Sequence, residues 1–98
     1  KPSDLLLLSA GSCSAYDVAV ILNKQREPLM GLEVVVTGDQ MPEPPSTFTK
    51  IHLHYIAKGA LDEKKLVRAI ELSQEKYCSV ITTLRPGVPI SYSYEIRE

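Results

Sequence analysis

From residue 5 the chain reads LLLLSAGSCSAYDVAVIL, apolar with interspersed small residues and a single charge, Asp17. The spacing predicts one long helix, from about Asp4 to Glu27, apolar nearly all round and so suited to the centre of a fold. Ser3 is placed to cap it with Pro2 just outside. Asp4 suits the positive end of its dipole, and Lys24 and Arg26 suit the other end. Pro28 stops it. Gly11 and Ser12 lie mid-helix, where they would bend it or let another backbone approach closely.

After Gly31 the period changes to two. Leu32, Val34 and Val36 alternate with Glu33, Val35 and Thr37, and Gly38-Asp39 closes this strand. The segment QMPEPPS, 40–46, reads as an exposed loop. Thr47 to Ala57 reads as a second strand, with Thr49, Ile51, Leu53 and Tyr55 on one face and Lys50, His52, His54 and Ile56 on the other. Gly59 ends it, and Asp62 caps a second helix over about 62–78. Its apolar stripe is Leu66, Ile70, Ser73 and Tyr77, joined by Val67 and Ala69; Lys64, Lys65, Arg68 and the run Glu71 to Glu75 form a solvated face. Val80 to Leu84 reads as a short strand, Arg85-Pro86-Gly87 as a turn, and Val88 to Ile96 as a last strand presenting Val88, Ile90, Tyr92, Tyr94 and Ile96. The order α-β-β-α-β(-β) is that of an α/β (α+β) fold in a single domain, 1–98. So few strands cannot cover both sides of the first helix, so further strands or a second subunit are expected to cover the rest.

Composition narrows the class. Ninety-eight residues bound one core. A net charge of −1, from 11 basic and 12 acidic residues, excludes a basic nucleic-acid footprint. The 44% hydrophobic content excludes disorder. The 5–22 run is long enough to span a bilayer, but Asp17 inside it would be expensive in lipid and the fold needs a central element, so no membrane association is expected. No cleavable leader is visible, and the chain opens at Lys1, which points to further residues ahead of it in the full gene product.

Candidate chemistry rests on few residues. Cys13 and Cys78 are too few for a disulfide scaffold and read as free thiols or a transient functional disulfide in a reducing compartment. The simpler reading of each is a small buried hydrophobe. An ordinary thiol is only a few per cent thiolate at neutral pH, so a nucleophilic role calls for a nearby cation. Arg26 lies well along the helix, and Arg68 or Arg85 would need tertiary proximity. His52 and His54 share a strand face and, with both cysteines, would form a sensible zinc donor set. The cysteines lack CxxC spacing, however, and a solvent-facing pair beside Lys50 is the simpler reading. Asp17, one turn past Cys13, is read as structural, bonded to a backbone group or a serine.

The stretch PSDLLLLSAGSCSAYDVAVILNKQREPLMGLEVVVTG resembles the OsmC/Ohr family of thiol-dependent peroxidases. Its features there are a small-residue helix carrying a cysteine, then Asp-Val, an Ile-Leu pair, basic residues and a Gly-Leu-led strand. FTKIHLHYIAKGALDEKKLVRAIELSQEKYCSVITTL and LRPGVPISYSYEI are similar to the family's later strand, second helix, Tyr-Cys-x-Val segment and final strand. The resemblance spans essentially the whole chain and is strongest to the YhfA-type branch. It implies two central antiparallel helices wrapped by sheet in an intertwined homodimer. Family members carry further N-terminal strands, which supply an arginine and a glutamate that have no counterpart between Lys1 and Glu98.

By the same resemblance, Cys13 is the peroxidatic cysteine and Cys78 the resolving one. The implied activity is reduction of organic hydroperoxides or hydrogen peroxide through a Cys13 sulfenate and a Cys13–Cys78 disulfide. A dithiol of lipoyl or thioredoxin type would then regenerate the pair, in the cytoplasm, without cofactor, nucleic acid or membrane. Leu5 to Leu8 with Tyr92 and Tyr94 would form an apolar mouth for alkyl hydroperoxides, or else simply core or dimer interface. The alternatives are a non-catalytic dimeric binding or stress-response module of the same fold, and a metal-binding domain using His52 and His54.

Overall fold

In the computed structural model, which describes residues 1–98, α1 spans Pro2–Lys24. Pro2 occupies the first helical position, where its missing N–H is no loss, so Ser3 lies inside the first turn instead of capping it. At the other end the Glu27 N–H donates to the Leu22 carbonyl and the Arg26 N–H to that of Asn23, both at 3.0 Å, with Arg26 in the left-handed region at φ 58°. This closure ends the helix at Lys24, short of the expected Glu27. Ala10, Gly11, Ser14, Val18 and Leu22 form its buried stripe. Leu5, Leu8 and Tyr16 on other sides are 63%, 65% and 70% exposed.

Strands β1 (Gly31–Gln40) and β2 (Phe48–Lys58) pair antiparallel. Gly38 pairs with Ile51 and Asp39 with Lys50, so β1 runs through Gly38-Asp39 where a stop was expected. The third strand, β3 (Ile90–Arg97), lies parallel to β2, giving the order β1-β2-β3. The central strand buries Ile51, Leu53, Tyr55 and Ala57 with residues of the helices in one core cluster, as its period-two pattern predicts.

Helix α2 (Glu63–Leu72) starts where the Asp62 carboxylate accepts the Lys64 N–H at 3.0 Å. Gly59 ahead of it has φ 131°, and a Cβ there would run into the Pro28 carbonyl. The helix continues as one π-helical turn, Ser73–Tyr77, closed by the Cys78 N–H on the Ser73 carbonyl at 2.7 Å. The widened turn shifts the phase of the helix. Tyr77, expected on the buried stripe, is 54% exposed, while Cys78 is fully buried and Gln74, expected in solvent, is 5% exposed.

Ser79–Leu84 forms a short helix, α3, and not the strand predicted there. The β-branched run Val80-Ile81-Thr82-Thr83 favours extended backbone, but tertiary packing overrides it. Cys78 breaks the helix with extended geometry and caps the next one through its sulfur, which accepts the Ile81 N–H at 3.5 Å, and Ile81 is fully buried in the core. Leu6 and Ser9 flank Val80 and Leu84, Asp17 reaches Ser73, and Ile21 lies beside Leu72. The helical segment 63–84 therefore runs antiparallel to α1.

Candidate active site

Cys13 lies midway along α1, half-buried, and Cys78 sits at the junction between the π-helical turn and α3, fully buried. Both are free thiols. The antiparallel packing brings the two sulfurs and a carboxylate oxygen of Asp17 within 4.8 Å of one another. Asp17 follows Cys13 by four residues, so the two share a helix face. Burial, reinforced by the contact with Cys13, pushes the Cys78 thiol up to about 11, against the lowering effect of the Ile81 N–H. Cys78 is therefore a protonated thiol at neutral pH, and the solvent-accessible member of the pair is Cys13.

Beneath the sulfurs runs a buried polar chain. The Ser73 hydroxyl donates to Asp17 Oδ2 at 3.2 Å. Ser14 Oγ is 2.8 Å from Ser73 Oγ and 2.6 Å from the Tyr55 hydroxyl. Gln74 Nε2 donates to the Tyr55 oxygen at 2.9 Å, and Arg85 donates to Gln74 Oε1 at 3.2 Å. Each hydroxyl carries one proton, so the direction is fixed: Ser73 gives its proton to Asp17, Ser14 to Ser73, and Tyr55 to Ser14. Burial holds the Tyr55 phenol above its ordinary range, which keeps it a donor. The chain runs one way, from a guanidinium to the carboxylate beside the two thiols. No buried side-chain polar atom lacks a partner.

The family profile described as OsmC-like protein matches residues 1–93. The chain belongs to the OsmC-like family. It is 44% identical over 97 residues to Protein YhfA of Escherichia coli K12, across 98% of this chain and 72% of that protein. A hypothetical protein from Aquifex aeolicus VF5 matches with a TM-score of 0.89 at 37% identity, covering 100% of this chain and 76% of its own. An organic hydroperoxide resistance protein, OsmC, from Legionella pneumophila shares the fold at 18% identity and a TM-score of 0.78, over 97% of this chain and 69% of its own. The α+β architecture of this OsmC-like chain is thus that of the family.

The other candidate residues are placed elsewhere. His52 and His54 lie on the face of β2 opposite the core face that meets the cysteines. There they form a ladder with β3: His52 contacts Ser91 at 2.7 Å and Ser93 at 2.8 Å, and His54 contacts Ser93 at 2.6 Å and Glu95 at 2.9 Å. The sheet therefore separates the histidines from the cysteines, and a joint His/Cys metal site is not formed. Cys13, Asp17 and Cys78 are the donors that converge; they number one fewer than a closed tetrahedral zinc site needs.

The expected apolar mouth is also divided. Leu7 and Leu8 line a 470 Å³ groove with Gly11, Val34 and Val36 of β1. Tyr92 and Tyr94, on β3 at the other edge of the sheet from β1, instead meet the Tyr55 ring and the Glu63 carboxylate. Arg68 pairs with Glu71 and Arg26 occupies the turn ending α1; of the three arginines considered, Arg85 is the one tied to the site's network. Sequence reasoning missed Ser14, Tyr55 and Gln74 as members of the site, and saw Ser73 only as a stripe position. A serine on an otherwise apolar stripe was the available signal, because a buried hydroxyl must find a partner.

Proposed function

We propose that this OsmC-like protein is a stress-related redox protein that reduces peroxides with its two cysteines, Cys13 attacking and Cys78 resolving. The carrying observation is the convergence of the two sulfurs, one belonging to a half-buried residue and the other to a fully buried one. Cys13 is the more accessible residue of the two. A thiolate at Cys13 takes the terminal peroxide oxygen, breaks the O–O bond and releases alcohol or water, leaving a sulfenic acid. Attack by Cys78 on that sulfur expels water and forms the Cys13–Cys78 disulfide. A dithiol of lipoyl or thioredoxin type returns both to thiols by exchange. The reading includes a homodimer in the cytoplasm, the second copy covering α1 around Leu5, Leu8 and Tyr16.

The test is peroxide consumption with cumene hydroperoxide or hydrogen peroxide and dihydrolipoamide as reductant. Wild type should turn over, losing two thiols per peroxide when the reductant is omitted. Cys13→Ser should abolish consumption, and Cys78→Ser should accumulate a sulfenic acid trapped by dimedone. Peroxide addition without thiol loss, in folded protein whose thiols react with alkylating agents, would overturn the assignment in favour of a non-catalytic binding module.

A further inference from the structure

We infer that Asp17 is the proton acceptor for Cys78 when the disulfide forms, held in place by the Ser73 hydroxyl at the end of the chain that begins at Arg85. The inference rests on the dithiol reading of the site but not on peroxide as its oxidant. Three observations converge on it. The Asp17 carboxylate oxygen lies within 4.8 Å of both sulfurs. The carboxylate has no ion-pair partner among the six ion pairs of the chain. Its one side-chain hydrogen bond is the Ser73 hydroxyl at 3.2 Å, donated through a succession that ends in nothing but Asp17.

The chemistry requires such a group. A buried thiol whose ionisation is opposed by its surroundings cannot wait to ionise before attacking. In the resolving step the Cys78 sulfur lone pair forms the S–S bond, the Cys13 S–O bond breaks and hydroxide departs. Asp17 takes the Cys78 proton as this happens and passes it to the departing hydroxide, so that one water leaves and charge is conserved. Ser73 is the positioning residue: its O–H fixes one carboxylate oxygen, and the proton order Tyr55 to Ser14 to Ser73 prevents it from turning to accept. The titratable groups facing Cys78 are Cys13 and Asp17 on α1 and Tyr55 on β2. Lys24 borders the same groove as Asp17.

Reaction of the reduced, full chain with dithiobis(nitrobenzoate) isolates the step. The first thionitrobenzoate is released as Cys13 is captured, and the second as Cys78 attacks the mixed disulfide. Asp17→Asn, which keeps an acceptor for Ser73, should leave the first release as fast or faster, because a neutral amide no longer repels the attacking sulfur. It should slow the second release about 100-fold at neutral pH, within the range usual for a lost general base. The slowed step should regain rate steeply as pH rises toward the Cys78 titration, where wild type is flatter. Ser73→Ala should slow the second release by about tenfold with the flatter profile kept, and Asp17→Glu should restore part of the rate.

A second release in Asp17→Asn within about threefold of wild type, where loss of a general base costs far more, would overturn the inference. So would an unchanged second release in folded Ser73→Ala. Failure of the peroxide assay with an intact two-step exchange would sink the peroxidase reading alone.

Discussion

Gly11→Ala is a substitution whose sign is decided by packing. Gly11 is buried on the side of α1 that faces β1. A Cβ there would meet Val36 Cγ2 at 2.6 Å, with Val34 Cγ1 and Val36 Cβ next at 4.0 Å. Helix propensity alone favours alanine by about 1 kcal/mol. Against this, the new methyl lies roughly 1 Å inside the ~3.5–4.0 Å separation of unstrained carbon atoms. Val36 is β-branched and stiff about χ1, so relief requires β1 to move away from α1. Overpacking of this kind costs about 2 kcal/mol.

Gly11→Ala should therefore destabilise the protein by about 1 kcal/mol. Val36→Ala removes the obstructing methyl at a cost of about 1 kcal/mol, since the side chain is only half-buried. In that background only propensity remains, and Gly11→Ala should stabilise by about 1 kcal/mol. The coupling is thus about 2 kcal/mol, read from urea unfolding midpoints of the four proteins at one protein concentration. Additivity within about 0.5 kcal/mol, or a stabilised Gly11→Ala single variant, would refute the close approach of α1 to β1.

Further outcomes follow from the same packing. Tyr55→Phe keeps the edge contact with the Tyr92 ring at 6.3 Å but removes the phenol between Gln74 and Ser14, and should cost about 2 kcal/mol by unfolding midpoint, since buried groups lose partners; a change below about 0.5 kcal/mol would mean that water replaces the phenol. The Cys78 thiol is raised from its ordinary 9.0 to about 11, so the fold binds its proton more tightly than the unfolded chain does. The resulting stability is fully present below pH 9 and should drain by about 3 kcal/mol as pH climbs through 11. Cys78→Ala should remove that slope; an identical slope in the variant would assign it to other groups. Gly59→Ala should cost more than about 3 kcal/mol or abolish folding, because the left-handed φ and the Pro28 carbonyl both oppose a side chain; a normal melting temperature would contradict this turn.

The sequence was most legible where one local pattern controls one element. The alternation of Leu32, Val34 and Val36, and of Ile51, Leu53 and Tyr55, predicted both strands and which face is buried, because a strand's period of two leaves each side chain one choice of side. The Asp62 cap is equally local. The end of α1 was less legible: arginine in the left-handed region is unusual, and nothing short of the Glu27-to-Leu22 closure announces it.

What the sequence by itself determined is the long first helix, the first two strands with their buried faces, the helix capped by Asp62, the last strand and, through the motifs around Cys13 and Cys78, the OsmC-like family. Tertiary structure alone decided the rest. The π-helical turn rotates Tyr77 out and Cys78 in, the β-branched run after Cys78 winds into α3, and β3 enters the sheet parallel to β2. Above all, it joined Asp17, Ser73, Ser14, Tyr55, Gln74 and Arg85 into one hydrogen-bonded line. The physical reason is that a buried polar group is satisfied by whatever partner packing brings within about 3 Å, and residues distant in the chain carry no local periodicity from which that meeting can be read.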